Sequence, residues 1–354
     1  MKKTKLLFIV LTAVLFACGD SKTADASSEV QVITEEIVAH ENTIDEQLKG
    51  INQKIKGDLN NPNLYAERAA LFLQMNDLSS SSADIQRALK LDSLNFNAFI
   101  VLGDLQALQG QFEPTKYAFE LAIKVATTNQ QRSLANQKIG EIYYVIQDYD
   151  KALDYADLSL KEDIYNSESY FLKGLLFEAK GNMERAISSW QTAVEQDPDH
   201  IKSYLRLALT YDEMNDPLVI DYTNNILYID SNNIEALYTQ AMYQQRNDLL
   251  NEAMKNYTRI MKINPNMREA PYNMGYIHLV YLKLYNEAKG YFEKSIKIDP
   301  KYYEAYYNYG YCFELLGDIQ SAERIYKKAL EVKPDYTAAA NGLNRVNDTR
   351  TINE

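Results

Sequence analysis

The sequence predicts an all-helical solenoid, and three observations lead to that prediction. Glycines recur in pairs seven residues apart, at Gly103 and Gly110, Gly174 and Gly181, and Gly310 and Gly317. Alignment of the chain on these pairs gives a unit of about 34 residues that recurs along most of the chain. Turn-forming Asn, Asp and Gly fall near the middle of the unit and Pro near its end, where consecutive helices must reverse direction.

Composition and charge exclude some classes of function. The chain has 354 residues, of which 46% are hydrophobic, and contains 8 Pro and 13 Gly, so it can bury a core. Its formal charge is −12, and no cluster of Lys and Arg follows the first residues. Because phosphate binding relies on clustered basic side chains, nucleic acid is not an expected partner.

Residues 1–17 predict a bacterial signal peptide. Three lysines precede a run from Leu6 to Ala17 that carries no charge and is apolar except for Thr12. This run is too short to cross a hydrocarbon core of about 30 Å as a helix.

The end of this segment, LFAC at residues 15–18, resembles the lipobox of bacterial lipoproteins. Phe16 departs from the small residue that is usual at its place. The resemblance implies cleavage before Cys18, lipidation of that cysteine and permanent attachment to an envelope membrane. With Gly19 next, the implied location is the outer membrane, facing the periplasm. An ordinary secretory signal followed by an unrelated cysteine is the alternative.

Two segments precede the repeats. Residues 18–32 are small and polar and predict a flexible tether behind the lipidated cysteine. Residues 33–59 predict an amphipathic capping helix, because apolar residues are spaced i, i+4, i+7, i+11 at Ile44, Leu48, Ile51 and Ile55.

The recurring unit resembles the tetratricopeptide repeat (TPR), which has large residues at positions 4, 11 and 24 and small ones at positions 8, 20 and 27. The last copy carries Tyr306, Gly310, Phe313, Gly317, Ala322, Tyr326, Ala329 and Pro334, and the fourth matches as well with Tyr170, Gly174, Phe177, Gly181, Ala186, Trp190, Ala193 and Pro198. The resemblance implies a right-handed α-solenoid of about eight copies over residues 62–336. Their expected bounds are 62–95, 96–129, 133–166, 167–200, 201–233, 234–267, 268–302 and 303–336. Residues 337–354 predict a C-terminal capping helix and tail.

Three departures from the period predict local irregularities. Residues 130–132 separate the second and third copies. The fifth copy is one residue short and carries Pro217 in its turn. The seventh copy has one extra residue in its turn.

The sequence predicts no enzyme, cofactor or metal site. Its three histidines are far apart, and no HExxH, CxxC or GxSxG pattern occurs. His278 stands at position 11 of its copy, Trp190 at position 24 and Cys312 at position 10, so all three are predicted to be core residues.

The TPR resemblance implies that positions 2, 5 and 9 of each copy face a concave groove. At positions 5 and 9 the later copies become a tyrosine stripe with an acidic edge at position 2. The candidate partner-binding residues are Phe171, Tyr238, Met242, Tyr272, Tyr276, Tyr307, Tyr311, Glu235, Glu269 and Glu304.

Residues 301–311 contain six tyrosines, which the unit sorts by position. Tyr306 and Tyr309 are predicted to lie in the core, and Tyr302 and Tyr303 at the junction between copies. Only Tyr307 and Tyr311 are therefore predicted to face the groove.

These expectations favour a membrane-anchored scaffold that binds another envelope protein. The partner is expected to offer aromatic or aliphatic anchors and a Lys or Arg, either in an extended or in a helical segment. A C-terminal carboxylate ligand is disfavoured because Lys202 is the only lysine at positions 2 or 5. An alternative function stays open, in which the tyrosines contact peptidoglycan or another carbohydrate. Two explanations without an external ligand also stay open: the tyrosines only fill space between copies, or they bind the chain's own N-terminal segment.

Overall fold

The computed structural model describes residues 44–353, which form α-helices joined by short turns without any β-strand. This confirms the all-helical prediction. The described residues divide into two compact units, residues 44–203 (unit 1) and 204–353 (unit 2). No helix in the described range is long and apolar enough to cross a bilayer.

Unit 1 consists of one N-terminal helix followed by helix pairs. Helix α1 covers residues 44–57. The pairs are α2 (Pro62–Gln74) with α3 (Leu78–Leu91), α4 (Phe96–Leu108) with α5 (Phe112–Val125), α6 (Asn129–Val145) with α7 (Tyr149–Glu162), and α8 (Ser167–Ala179) with α9 (Met183–Gln196). Helix α10 (Ile201–Glu213) begins at the end of this unit.

Unit 2 contains most of α10 and continues the pairs to a C-terminal helix. The elements are α11 (Leu218–Ile229), α12 (Ile234–Arg246), α13 (Leu250–Ile263), α14 (Glu269–Tyr276), a π-helical turn (Ile277–Tyr281), α15 (Tyr285–Ile298), α16 (Tyr303–Leu315), α17 (Ile319–Val332) and α18 (Thr337–Asn353).

In four of the described helix pairs the helices approach closely because a glycine on the first helix faces an aromatic ring from the second. In unit 1, a Cβ built on Gly174 would lie 2.1 Å from Trp190 Nε1, so only glycine leaves room for the indole. In unit 2, the equivalent Cβ on Gly310 would lie 2.9 Å from Tyr326 Cδ1. Trp190 and Tyr326 are both fully buried, and Cys312 is as well, which confirms the prediction that Trp190 and Cys312 are core residues.

Every described turn within a helix pair contains one residue in the left-handed region. Three of these residues are glycines, but Gln147 (φ 64°) and Lys283 (φ 56°) adopt the same conformation. Each ends a helix and starts the turn to its partner. The backbone path therefore stays the same where the sequence lacks the usual Gly or Asn.

Both end helices cover the array as predicted. Helix α1 buries Ile44, Ile51 and Ile55 against the first repeat, and Leu48 packs at the edge of the same cluster. In unit 2, Val346 of α18 joins a buried cluster with Tyr326. The part of the predicted N-terminal helix before residue 44 lies outside the described residues.

Two of the predicted irregularities have a visible local structure. Residues 130–132 lie in the first turn of α6, which Thr128 and Gln131 cap reciprocally. In the seventh copy, the extra residue is absorbed by the π-helical turn at the end of α14.

That π-helical turn shifts the following residues by one place, so the prediction of His278 as a core residue is wrong. Leu279, which is 4% exposed, packs against Ala288 and Phe292 in the core, where His278 was predicted to lie. His278 is half-buried and bonds through Nδ1 to the Met274 carbonyl.

We expect Gly174→Ala to lower the free energy of unfolding by about 1–3 kcal/mol, because the added methyl group overpacks the contact with Trp190. Gly290→Ala is the matched control. Gly290 lies within α15 with no atom near its virtual Cβ, so alanine there should stabilise the helix by about 0.5–1 kcal/mol. Urea denaturation followed by circular dichroism measures both; equal effects would contradict the packing described for Gly174.

Candidate partner-binding groove

The predicted tyrosine stripe lies on the first helices of three consecutive copies in unit 2. Tyr238 and Met242 are on α12, Tyr272 and Tyr276 on α14, and Tyr307 and Tyr311 on α16; all six side chains are half-buried.

An asparagine of the next copy links the first two stripe residues. Asn273, which is 7% exposed, donates from Nδ2 to Tyr238 Oη at 3.3 Å and contacts Met242 Sδ at 3.5 Å. The Tyr238 ring also meets Tyr257 edge-on at a centroid distance of 6.3 Å. Tyr238 and Met242 are thus held against the start of the following helix pair.

The same arrangement recurs one copy later. Asn308, 8% exposed, donates from Nδ2 to Tyr272 Oη at 2.9 Å. Asn273 and Asn308 occupy the same position of the unit, directly after the position-5 residue of their own copies. Sequence reasoning missed both asparagines, although their recurrence at one position of adjacent copies was a visible signal.

Two further tyrosines extend the stripe, and the sequence-based sorting had left them outside it. Tyr302, placed at the junction between copies, lies with its ring 4.9 Å from that of Tyr272. Tyr336, the last residue of the eighth copy, meets Tyr307 edge-on at 5.8 Å. The ring of Tyr307 is also nearly parallel to that of Tyr311, at 6.2 Å and 3°.

In four copies the last residue caps the next helix, which explains why these two rings were missed. Asn233 ends the fifth copy, and its side chain accepts from the Ala236 amide at the start of α12. Tyr302 makes no such cap to α16, and its side chain instead packs on Tyr272. A tyrosine at the position where other copies have a capping residue therefore indicates that one more aromatic ring joins the stripe.

The acidic edge lies in the first turns of the three stripe helices of unit 2. Glu269 pairs with Arg268 at 3.0 Å, and Arg268 also pairs with Asp299 and lies 4.4 Å from the Tyr302 ring centroid. Glu304 is half-buried in the first turn of α16, and Glu235 in the first turn of α12.

The phenols of Tyr238, Tyr272 and Tyr336 remain protonated at neutral pH. Burial raises the pKa of Tyr238, and burial with the Glu304 charge raises that of Tyr272. The same two causes raise the pKa of Tyr336 to about 12. Each phenol therefore keeps its hydrogen-bond donor.

Tyr276 is the last residue of α14 and directly precedes the π-helical turn. Its ring meets Tyr281 edge-on at 6.3 Å. Val280, Tyr281 and Leu282 are exposed around that turn, so apolar surface continues beyond the stripe.

Phe171 lies in unit 1 and has a different environment. It is buried, with its ring 5.4 Å from that of His200, and it lines a small pocket with Glu141, Tyr144, Glu168, Leu172 and Leu175. Burial disfavours the Glu168 carboxylate, but hydrogen bonds from His200 and Lys202 outweigh it and lower its pKa to about 2. The groove side of unit 1 is thus more charged than the tyrosine stripe.

The remaining predicted residue, Cys18, lies outside the described residues. Within residues 44–353, no group of three or more His, Cys, Asp or Glu side chains is placed to hold a metal ion.

Comparisons with known proteins agree with this architecture. Residues 138–201 and 279–345 each match a family model described as "Tetratricopeptide repeat". Among solved structures, the C-terminal part of a TPR repeat-containing protein from Cytophaga hutchinsonii has a TM-score of 0.58 at 18% identity. The match covers 68% of this chain and 98% of that one. At this identity the likeness concerns the fold alone.

Two curated relatives are similar over part of their length. "DnaJ homolog subfamily C member 3" of Gallus gallus is 21% identical over 245 residues, which is 62% of this chain and 48% of that protein. "Anaphase-promoting complex subunit 3" of Schizosaccharomyces pombe is 23% identical over 167 residues, 47% of this chain and 25% of that protein. The chain thus spans about half the length, or less, of these relatives. Tetratricopeptide repeats are present in both units, and the fold is the all-helical one of tetratricopeptide solenoids.

Proposed function

We propose that this protein is a non-enzymatic scaffold that binds a segment of another protein on the tyrosine stripe of unit 2. The observation that carries the proposal is the row of half-buried tyrosines on α12, α14 and α16, reinforced by Tyr302 and Tyr336. Tyrosines give a large contact area with few rotatable bonds, which suits recognition of a peptide segment.

Charge favours a basic partner. The chain carries a formal charge of −12, and Glu235 and Glu304 lie in the first turns of two stripe helices. Charge complementarity of this kind accelerates association and excludes acidic competitors. A segment with a Lys or Arg beside apolar anchors therefore fits the stripe best.

The same proposal places the scaffold at a bacterial envelope membrane through lipidated Cys18. It rests on the lipobox-like LFAC sequence at residues 15–18. Two or more acyl chains on one cysteine would hold the protein at the membrane permanently. The bound partner would then be another protein of the envelope, on the periplasmic side.

A carbohydrate ligand fits the ring arrangement less well. Sugar stacking needs free aromatic faces, whereas Tyr272 and Tyr302 lie 4.9 Å apart and Tyr307 and Tyr311 face each other in parallel. Cosedimentation with purified peptidoglycan that depends on Tyr311 would favour this alternative over a protein partner.

We expect Tyr276→Ala with Tyr311→Ala to abolish capture of the native partner while the helical circular dichroism spectrum is retained. The ring of Tyr276 meets Tyr281 and that of Tyr311 meets Tyr307, whereas Tyr272 and Tyr307 pack on the buried rings of Phe292 and Tyr326. The two substitutions should therefore remove contact area and leave these two packing contacts with buried rings in place. The measurement is affinity purification of the tagged chain from crosslinked envelopes, with quantitative mass spectrometry.

The matched control is Tyr228→Ala. Tyr228 lies on α11 and is 92% exposed, so its loss changes surface aromatic content away from the stripe. Equal capture by the wild type and the double variant, or equal loss in the control, would contradict the proposal.

We expect Cys18→Ala to move the protein from the membrane fraction to the soluble periplasmic fraction and to abolish labelling by a clickable palmitate analogue. The reason is that the substitution removes the only proposed site of acylation. Partition of the variant into the detergent phase of Triton X-114, as for the wild type, would refute the anchor and leave the groove proposal intact.

A further inference from the structure

A cavity between the two helices of the fourth copy points to a second binding site, which lies in unit 1. Its wall consists of seven side chains on α8 and α9: Tyr170, Lys173, Phe177, Arg185, Ser188, Ser189 and Thr192. The cavity has a volume of about 210 Å³ and opens to solvent. We propose that it binds the carboxylate of a ligand no larger than one sugar acid or one acidic side chain, between Lys173 and Arg185.

The first copy shows how the same space can be filled from within the chain. There the Arg68 guanidinium lies over the rings of Tyr65 and Phe72, at 5.7 and 5.8 Å from their centroids. It donates two hydrogen bonds to the Asp84 carboxylate, from Nε at 2.6 Å and from Nη2 at 2.7 Å. Asp84 is only 6% exposed. A cation, a carboxylate and two rings therefore close the outer side of that helix pair.

The fourth copy keeps the rings and the cation but lacks the carboxylate. Positions 4 and 11 again carry aromatic residues, and position 7 again carries a base, Lys173. Position 23, which is Asp84 in the first copy, is Ser189. The Ser189 hydroxyl donates to the Arg185 carbonyl at 2.8 Å, so its hydrogen is used within α9. The smaller side chain leaves open the space that a carboxylate takes in the first copy, which accounts for the cavity.

Both cations of the cavity have donors for an added carboxylate. No carboxylate within residues 44–353 pairs with the Arg185 guanidinium, which is exposed and lies over an aromatic ring of the wall. Lys173 Nζ contacts Asp157 of α7 at 2.7 Å, but an ammonium group has three donors and can bind a second acceptor. Arg68 does the same in the first copy, since it bonds both to its carboxylate and to Asn52 of the preceding helix.

The rest of the wall limits the size and the body of the ligand. Tyr170 and Phe177 are half-buried, so their rings offer apolar contact beside the cations. The Tyr170 phenol makes no hydrogen bond in the part of the chain that the structure describes, and it can donate to a ligand oxygen. Sites for larger organic ligands start at about 300 Å³, so one sugar acid or one side chain is the upper limit here.

The two sources of such a carboxylate can be distinguished with small probes. The probes are D-glucuronate and N-acetyl-glutamate-N′-methylamide, each compared with its neutral counterpart, D-glucose or N-acetyl-glutamine-N′-methylamide. Saturation-transfer difference NMR with the purified full chain should give a Kd of roughly 1 mM for at least one carboxylate, as expected for a ligand of this size. Its neutral counterpart should bind at least about tenfold more weakly. Preference for glucuronate would indicate a sugar acid, and preference for the glutamate derivative a protein side chain.

Removal of either cation should weaken binding of the preferred carboxylate. We expect a loss of about tenfold to hundredfold for Lys173→Gln and for Arg185→Gln, because each removes a charge-assisted hydrogen bond. Lys161→Gln is the matched control. Lys161 is an exposed lysine in the last turn of α7 and does not line the cavity, so its loss should leave the affinity unchanged.

Ser189→Asp gives a readout that a purely structural role of these residues would not produce. The new carboxylate should pair with Lys173 as Asp84 pairs with Arg68, so the chain would fill its own site. We expect binding of the probe to weaken more than about tenfold while the helical circular dichroism spectrum is retained. Ser189→Ala removes only the bond within α9 and should bind the probe like the wild type.

Three results would overturn this inference: binding of neither carboxylate, equal binding of a carboxylate and its neutral counterpart, or unchanged affinity in Ser189→Asp. An equal loss in Lys161→Gln and Lys173→Gln would also contradict it, since the effect would then reflect overall charge. The site is independent of the tyrosine stripe, because all of its residues belong to unit 1. Native partner capture with the Tyr276 and Tyr311 variant therefore decides the scaffold function separately.

Discussion

The contact between a glycine and an aromatic ring, which four of the described helix pairs share, is the constraint on which the packing of those pairs depends. Gly174 and Trp190 in unit 1, and Gly310 and Tyr326 in unit 2, allow a large ring to fill the space where a Cβ would otherwise stand. Close packing over a buried ring fixes the separation of the two helices. The first helix then presents its other face at a defined depth, which is why stripe residues recur at regular positions.

In unit 2 the same side chains join the copies and belong to the proposed binding surface. Asn273 and Asn308 connect consecutive copies through tyrosine oxygens, and the rings of those tyrosines are part of the stripe. The hydrogen bonds are partly buried, so they hold the phenols in place more firmly than exposed ones would. A groove built in this way is preorganised, and a ligand loses less conformational entropy of the protein on binding.

The sequence was sufficient for the all-helical repeat fold, because the TPR unit relates each position to one face of a helix, and it placed six candidate residues on the first helices of three consecutive copies. It was insufficient where backbone and side chains adjust to each other. The π-helical turn replaced His278 by Leu279 in the core, a change of register that no single residue type signals. Tyr302 was missed because the same position caps a helix in other copies, and only the contact with Tyr272 reveals its second use.

The residue at the last position of a copy has one of two roles, depending on its side chain. With Asn233, the side chain satisfies an amide at the start of the next helix, whereas with Tyr302 that amide bond is absent and a ring joins the neighbouring wall. Capping of this kind contributes about 1 kcal/mol to helix stability. A single codon change can therefore convert a copy whose last residue caps a helix into one whose last residue adds an aromatic ring to the neighbouring surface, which gives repeat proteins a short evolutionary path to new surfaces.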